Sequence, residues 1–110
     1  VINKLEGRKK RILAGSRSKA ELVIDEGAAK ALARGGSLLP AGVVRVNGKF
    51  ERGDAIRVVS LQQKAVAIGL SNYSAADVQK IIGHKSGEIE SALGYTFGDE
   101  VIHRDHMALL

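Results

Sequence analysis

The chain has 110 residues, 45% of them hydrophobic and 26% charged, and carries a formal net charge of +5. That is the length of one domain with the apolar content of a folded globular protein, so two full cores and wholesale disorder are both excluded. There is no cysteine, hence no disulfide, thiol nucleophile, zinc ribbon or iron–sulfur cluster, and no run approaches the roughly 20 apolar residues of a membrane span.

The positive charge sits at the start. Residues 1–19 carry +6 and the other 91 carry −1. We read residues 1–10 as a basic interdomain linker and residues 11–110 as the folded domain. A basic arm also suits an anionic partner such as nucleic acid. The chain opens on Val1 instead of Met, without a signal-like apolar run, so it is expected to be a piece of a longer protein. The lack of cysteine fits a reducing compartment, and the expected location is the cytoplasm, with no membrane partner.

Leu22–Ile24 is a brief β-prone run. Asp25 follows as a helix N-cap for Glu26–Arg34, in which Ala28, Ala31 and Leu32 are spaced for one buried face. Gly35-Gly36 stops that helix. The loop from Ser37 to Gly42 holds the only proline, and Gly42 is free to take positive φ. Val43–Val46 runs into Asn47-Gly48, a favoured pair for a two-residue hairpin. Ala55–Ser60 and Ala65–Leu70 supply two more strands around the turn Gln62-Gln63-Lys64. These three strands are expected to lie side by side as an antiparallel meander. Ser74 with Asp77 then resembles a capping box, and Ala75, Val78, Ile81 and Ile82 line a second helix ended by Gly83. Ile89, Ala92 and Leu93 mark a third before Gly94, giving helices at about 26–34, 75–82 and 87–93. The tail returns to a strand-like pattern at Val101 and Ile102. The predicted fold is mainly β with short helices, a mixed β pseudo-barrel with a C-terminal helical extension.

Motifs for catalysis fail one by one. Val101-Ile-His-Arg-Asp105 looks like the catalytic loop of a protein kinase, but Leu110 stands where that loop needs a magnesium-holding Asn. Gly42 to Gly48-Lys49 has one residue too many for a P-loop, and Phe50 replaces its Ser or Thr. Glycine spacing excludes dinucleotide and KH-type loops. His103 and His106 flank Asp105, but on a strand, residues three apart point to opposite faces and do not chelate. His84 follows a helix stop, an ordinary place for a cation. No catalytic, cofactor-binding or metal site is predicted in this chain.

For RNA the needed chemistry is cations for phosphates and flat groups for bases. Arg8, Lys9, Lys10 and Arg11 supply cations, and Lys30 and Arg34 share a helix face. Lys30 also has Glu26 one turn before it, an ordinary surface pair. The four aromatics, Phe50, Tyr73, Tyr95 and Phe97, read as core or edge packing.

The blocks Leu22-Val-Ile-Asp-Glu-Gly-Ala-Ala-Lys-Ala-Leu32, Gly35-Gly-Ser-Leu-Leu-Pro-Ala-Gly42 and Phe50-Glu-Arg-Gly-Asp54 resemble a PUA domain, the module named for pseudouridine synthases and archaeosine transglycosylases. Ile82-Gly-His-Lys-Ser86, Glu88-Ile89, Leu93-Gly-Tyr95 and Val101-Ile-His-Arg-Asp-His-Met107 resemble the C-terminal end of the bacterial glutamate 5-kinase family. Arg8-Lys-Lys-Arg-Ile-Leu-Ala-Gly15 resembles that family's junction between domains, with Ile12 where tryptophan is common. The resemblance implies an accessory or regulatory domain behind an upstream amino-acid-kinase domain. That domain would hold ATP, magnesium and glutamate, in a homo-oligomeric parent making L-glutamyl 5-phosphate for proline. It further implies an RNA face at the first helix, here Gly27, Lys30 and Arg34. The alternative is an RNA-binding module, free-standing or from an RNA-modifying enzyme.

Overall fold

The computed structural model describes residues 20–110. The linker and the cations Arg8, Lys9, Lys10 and Arg11 lie outside the described residues. Five strands form one mixed sheet: β1 (Glu21–Ile24), β2 (Val43–Asn47), β3 (Ala55–Val59), β4 (Ala65–Leu70) and β5 (Met107–Leu109), in the order β2-β1-β3-β4-β5. Three short helices pack with it, α1 (Glu26–Ala33), α2 (Ala75–Ile81) and α3 (Ile89–Leu93), with 3₁₀ turns at Pro40–Gly42, Ser86–Glu88 and Arg104–His106. The β-rich fold and the places of its three helices match the sequence expectation.

The strand order does not. β3 and β4 form the antiparallel hairpin that their short turn requires, with Ala55 opposite Leu70. Between β2 and β3, however, lies β1, antiparallel to β2 (Leu22 opposite Val46) and parallel to β3 (Leu22 opposite Val58). The three-strand meander is therefore corrected. Leu22, Val23 and Ile24 are all buried, and an unbroken apolar run is the mark of a strand covered on both faces. In the sequence it is only a brief β-prone run, yet it lies inside the sheet, between the edge strand β2 and β3. Asn47-Gly48 is accordingly not a two-residue hairpin. Gly48 takes φ +82° where the chain leaves β2, and a Cβ there would lie 3.0 Å from the Ala20 Cα.

The first two helices each start on a side chain that satisfies an orphan amide. The Asp25 carboxylate accepts from the Ala28 N–H at 2.7 Å, and the Ser74 hydroxyl oxygen accepts from the Asp77 N–H at 3.3 Å. The second half of the expected capping box is absent, because Asp77 turns its carboxylate to the Tyr95 hydroxyl. Inside, Leu22, Ile24, Leu32, Leu38, Val58, Tyr73, Val78, Ile81, Ile89 and Ile102 form one core, each aliphatic side chain contributing roughly 1.5–3 kcal/mol by burial. On α1 the inward side chains are Leu32, Ala28 and Ala29, whereas Ala31 faces solvent; Ala92 on α3 is exposed too. Sequence spacing puts Ala31 inside, but a methyl group is too small to anchor the rotation of a helix.

Gly42 departs from expectation in another way. Its φ is not positive; what it needs is room, since a Cβ would fall 2.5 Å from that of Ala28. The bare backbone lets the loop lie on α1, where the Asp25 N–H donates to the Gly42 carbonyl at 3.0 Å. The tail is corrected as well. Ile102 bridges to Leu38, but residues 104–106 form a 3₁₀ turn before β5. That turn brings the His103 and His106 rings to 5.7 Å, so opposite strand faces do not separate them. The His103 ring nitrogen is engaged by the Asp105 N–H at 3.1 Å. Among the described residues no group of three or more His, Asp or Glu side chains is arranged to hold a metal ion.

Candidate nucleic-acid interface

α1 carries the three predicted site residues that the structure describes. Gly27, Lys30 and Arg34 all lie on its solvent side, at the spacing of neighbouring turns. Lys30 is not a free cation. Its Nζ lies 3.6 Å from the Glu26 carboxylate, one turn back. Arg34 caps the C-terminal end, its backbone N–H donating to the Lys30 and Ala31 carbonyls, each at 3.2 Å. There its charge complements the negative end of the helix. A hollow of about 250 Å³ runs beside the first turns of α1, lined by Gly27, Ala28, Ala31, Ser37, Leu39 and Gly42 among others. Its wall is largely small and apolar, with Asp25 the one acid. The arrangement offers a shallow, weakly charged groove with Lys30 and Arg34 on the same helix. Its one hydroxyl, on Ser37, is engaged as acceptor by the Arg104 N–H at 2.9 Å.

Three of the four aromatic residues, unconnected as single letters in the sequence, form one cluster. Tyr73 is buried, and its hydroxyl donates to the Gly98 carbonyl at 2.6 Å while accepting from the Phe97 N–H at 2.8 Å. The Tyr73 and Tyr95 rings lie 5.5 and 5.3 Å from that of Phe97, and the Arg52 guanidinium sits 3.8 Å from the Phe97 centroid. Packing describes Phe50 and Tyr73, but Tyr95 and Phe97 remain 43% and 41% exposed. The Tyr95 hydroxyl donates to Asp77; that hydrogen bond, with burial and the Asp77 charge, raises its pKa above the usual phenol value. Tyr95 and Phe97, two apart in a glycine-flanked loop, are the signal in the sequence from which a cluster could be suspected.

Comparison with known proteins meets the same fold. The family model described as PUA domain matches residues 20–93. The chain belongs to the PUA domain family. It is 52% identical over 94 residues to glutamate 5-kinase of Thermus thermophilus, covering 84% of this chain and 25% of that protein. It is 49% identical over 107 residues to glutamate 5-kinase of Geobacter sulfurreducens, covering 96% and 29%. The chain thus spans little more than a quarter of the length of the relatives it matches. Among solved structures it is similar to a PUA domain from Aeropyrum pernix K1 (TM-score 0.58, 27% identity, 77% of this chain and 41% of that one). It is also similar to a chain of the archaeal box H/ACA Nop10–Cbf5 complex (TM-score 0.52, 27% identity, 54% and 19%). Among the described residues no helix is long and apolar enough to cross a membrane.

Proposed function

We propose that this chain is the accessory PUA domain at the C-terminal end of a glutamate 5-kinase. In that reading the parent moves the γ-phosphoryl group of ATP to the side-chain carboxylate of L-glutamate, the first step of proline biosynthesis. The ATP, magnesium and glutamate sites belong to an amino-acid-kinase domain preceding residue 1, and residues 1–10 link the two. The parent is a cytoplasmic homo-oligomer, and this domain tunes its activity. One observation carries the reading: likeness to the Geobacter enzyme extends over 107 residues, well past residue 93 where the generic PUA match ends. The coding sequence upstream tests it, an amino-acid-kinase domain there being the expected result. The purified chain should form no glutamyl phosphate when hydroxylamine is present to trap it.

A second reading, an RNA-binding module, free-standing or from a pseudouridine synthase or transglycosylase, draws on the likeness to the box H/ACA complex chain. The electrostatics weigh against a strong RNA site. Residues 20–110 carry a net charge of −1, and Lys30 already faces Glu26. Binding through Arg8, Lys9, Lys10, Arg11, Gly27, Lys30 and Arg34 would then be weak and sequence-blind. A pseudouridine synthase or transglycosylase domain upstream would reverse the order of the two readings.

A further inference from the structure

The inner face of the sheet extends beyond the helices that cover it. Leu109 on β5 is in register with Ala67 of β4, itself opposite Val58 of β3, so it continues a buried row. Yet Leu109 is 47% exposed and Leu110 beside it 61%. Hollows open on both sides of Leu109. One, of about 260 Å³, has an apolar floor of Leu32, Met107 and Leu109, with Arg104 and Asp105 among its lining. The other, of about 470 Å³, is lined in part by Leu109 and Leu110. The charged side is held in place, since the Arg104 N–H donates to the Ser37 hydroxyl oxygen at 2.9 Å, tying the 3₁₀ turn to the loop after α1. β5 itself is an edge strand three residues long.

The geometry points to this end of the sheet as the face on which the rest of the parent polypeptide docks, an inference that rests on the kinase-domain reading above. An apolar centre bordered by charged side chains is the anatomy of a protein interface. A sheet edge with bare leucines is a surface that proteins normally cover. The occupant follows from length. This chain spans 25% and 29% of the two relatives described above, so most of the parent is present to supply the cover, tethered at effectively high concentration. RNA fits poorly, because the floor is apolar and each hollow is lined by a single cation, Arg104 next to the carboxylate of Asp105 in one and Lys64 in the other.

Amide hydrogen exchange, measured on this chain alone and on the full parent protein, tests the inference. In the parent, amides of Met107–Leu110 and of Gly35 and Gly36 should exchange at least about tenfold more slowly than in the isolated chain. Leu109→Asp in the parent should restore the rates of the isolated chain. Should that variant fail to fold, Leu110→Asp, at the more exposed position, gives the same readout. Equal rates in chain and parent would overturn the inference, as would protection that survives both substitutions. Protection that appears in the isolated chain as its concentration rises would assign the face to a second copy and overturn it too. An upstream coding sequence without an amino-acid-kinase domain removes the functional reading, whereas the exchange comparison still decides whether this face is covered.

Discussion

Lys30 and Glu26 face each other across one turn of α1, Nζ to carboxylate oxygen 3.6 Å, with 66% and 76% of their side chains in water. A pair so exposed holds the fold together by no more than about 0.5 kcal/mol. It does lower the charge that α1 can offer an anion. Lys30→Ala should therefore leave the melting temperature nearly unchanged and weaken RNA binding only by one phosphate's share, a change of roughly 0.7 in the slope of log affinity against log salt. Filter binding of a single-stranded RNA across a salt series checks this; selective binding of a folded RNA at physiological salt, abolished by Lys30→Ala, would restore a specific site on α1.

Gly42→Ala probes the approach of the loop to α1. With the new Cβ 2.5 Å from that of Ala28, loop and helix must separate, stretching the Asp25–Gly42 hydrogen bond. We expect a loss of about 1–3 kcal/mol, read from urea unfolding. Gly87→Ala, where the added carbon meets nothing within 4 Å, is the control and should change stability little.

Tyr73→Phe keeps the ring in the core and deletes the hydroxyl. The Gly98 carbonyl and the Phe97 N–H both lose that partner, so the loss should be about 1–3 kcal/mol. The loop carrying Thr96 to Gly98 should loosen, and its amides exchange faster, while those of β3 and β4 follow only the change in global stability.

Tyr95 supplies a prediction on the alkaline side. Its hydrogen bond to Asp77 raises the folded pKa above the unfolded one. The stability this linkage contributes is complete below the unfolded phenol value and is lost as pH climbs through the folded one. Near-ultraviolet absorbance should show a tyrosinate step later than that of a free phenol. Tyr95→Phe should delete that step, and Asp77→Asn should bring it back toward the ordinary range.

What was legible in the sequence was local. The Asp25 and Ser74 caps, the glycine stops and the β3–β4 turn depend on neighbours a few residues away, and they stand where the pattern put them. Pairing of β1 with β3 depends on residues far apart, and no periodicity within Leu22–Ile24 records it. The placement of Lys30 and Arg34 on one face of α1 was legible from helical spacing, and Gly27 joined them only through the family resemblance. The cluster of Arg52, Tyr73, Tyr95 and Phe97 was not, because it joins separate loops and turns that only the folded sheet brings together.

The interior place of β1, between two strands that follow it in the chain, also sets a problem of timing. Of the five strands it is the first to be synthesised, yet both its neighbours come later, one after α1 and the other after β2 as well. Until β3 has left the ribosome, Leu22, Val23 and Ile24 have no complete sheet to enter. The β3–β4 hairpin can close by itself within microseconds, whereas β1 must wait for a long-range closure, the slow kind. The nascent chain therefore carries this apolar strand uncovered for longest, a window in which it is most open to aggregation or to capture by a chaperone.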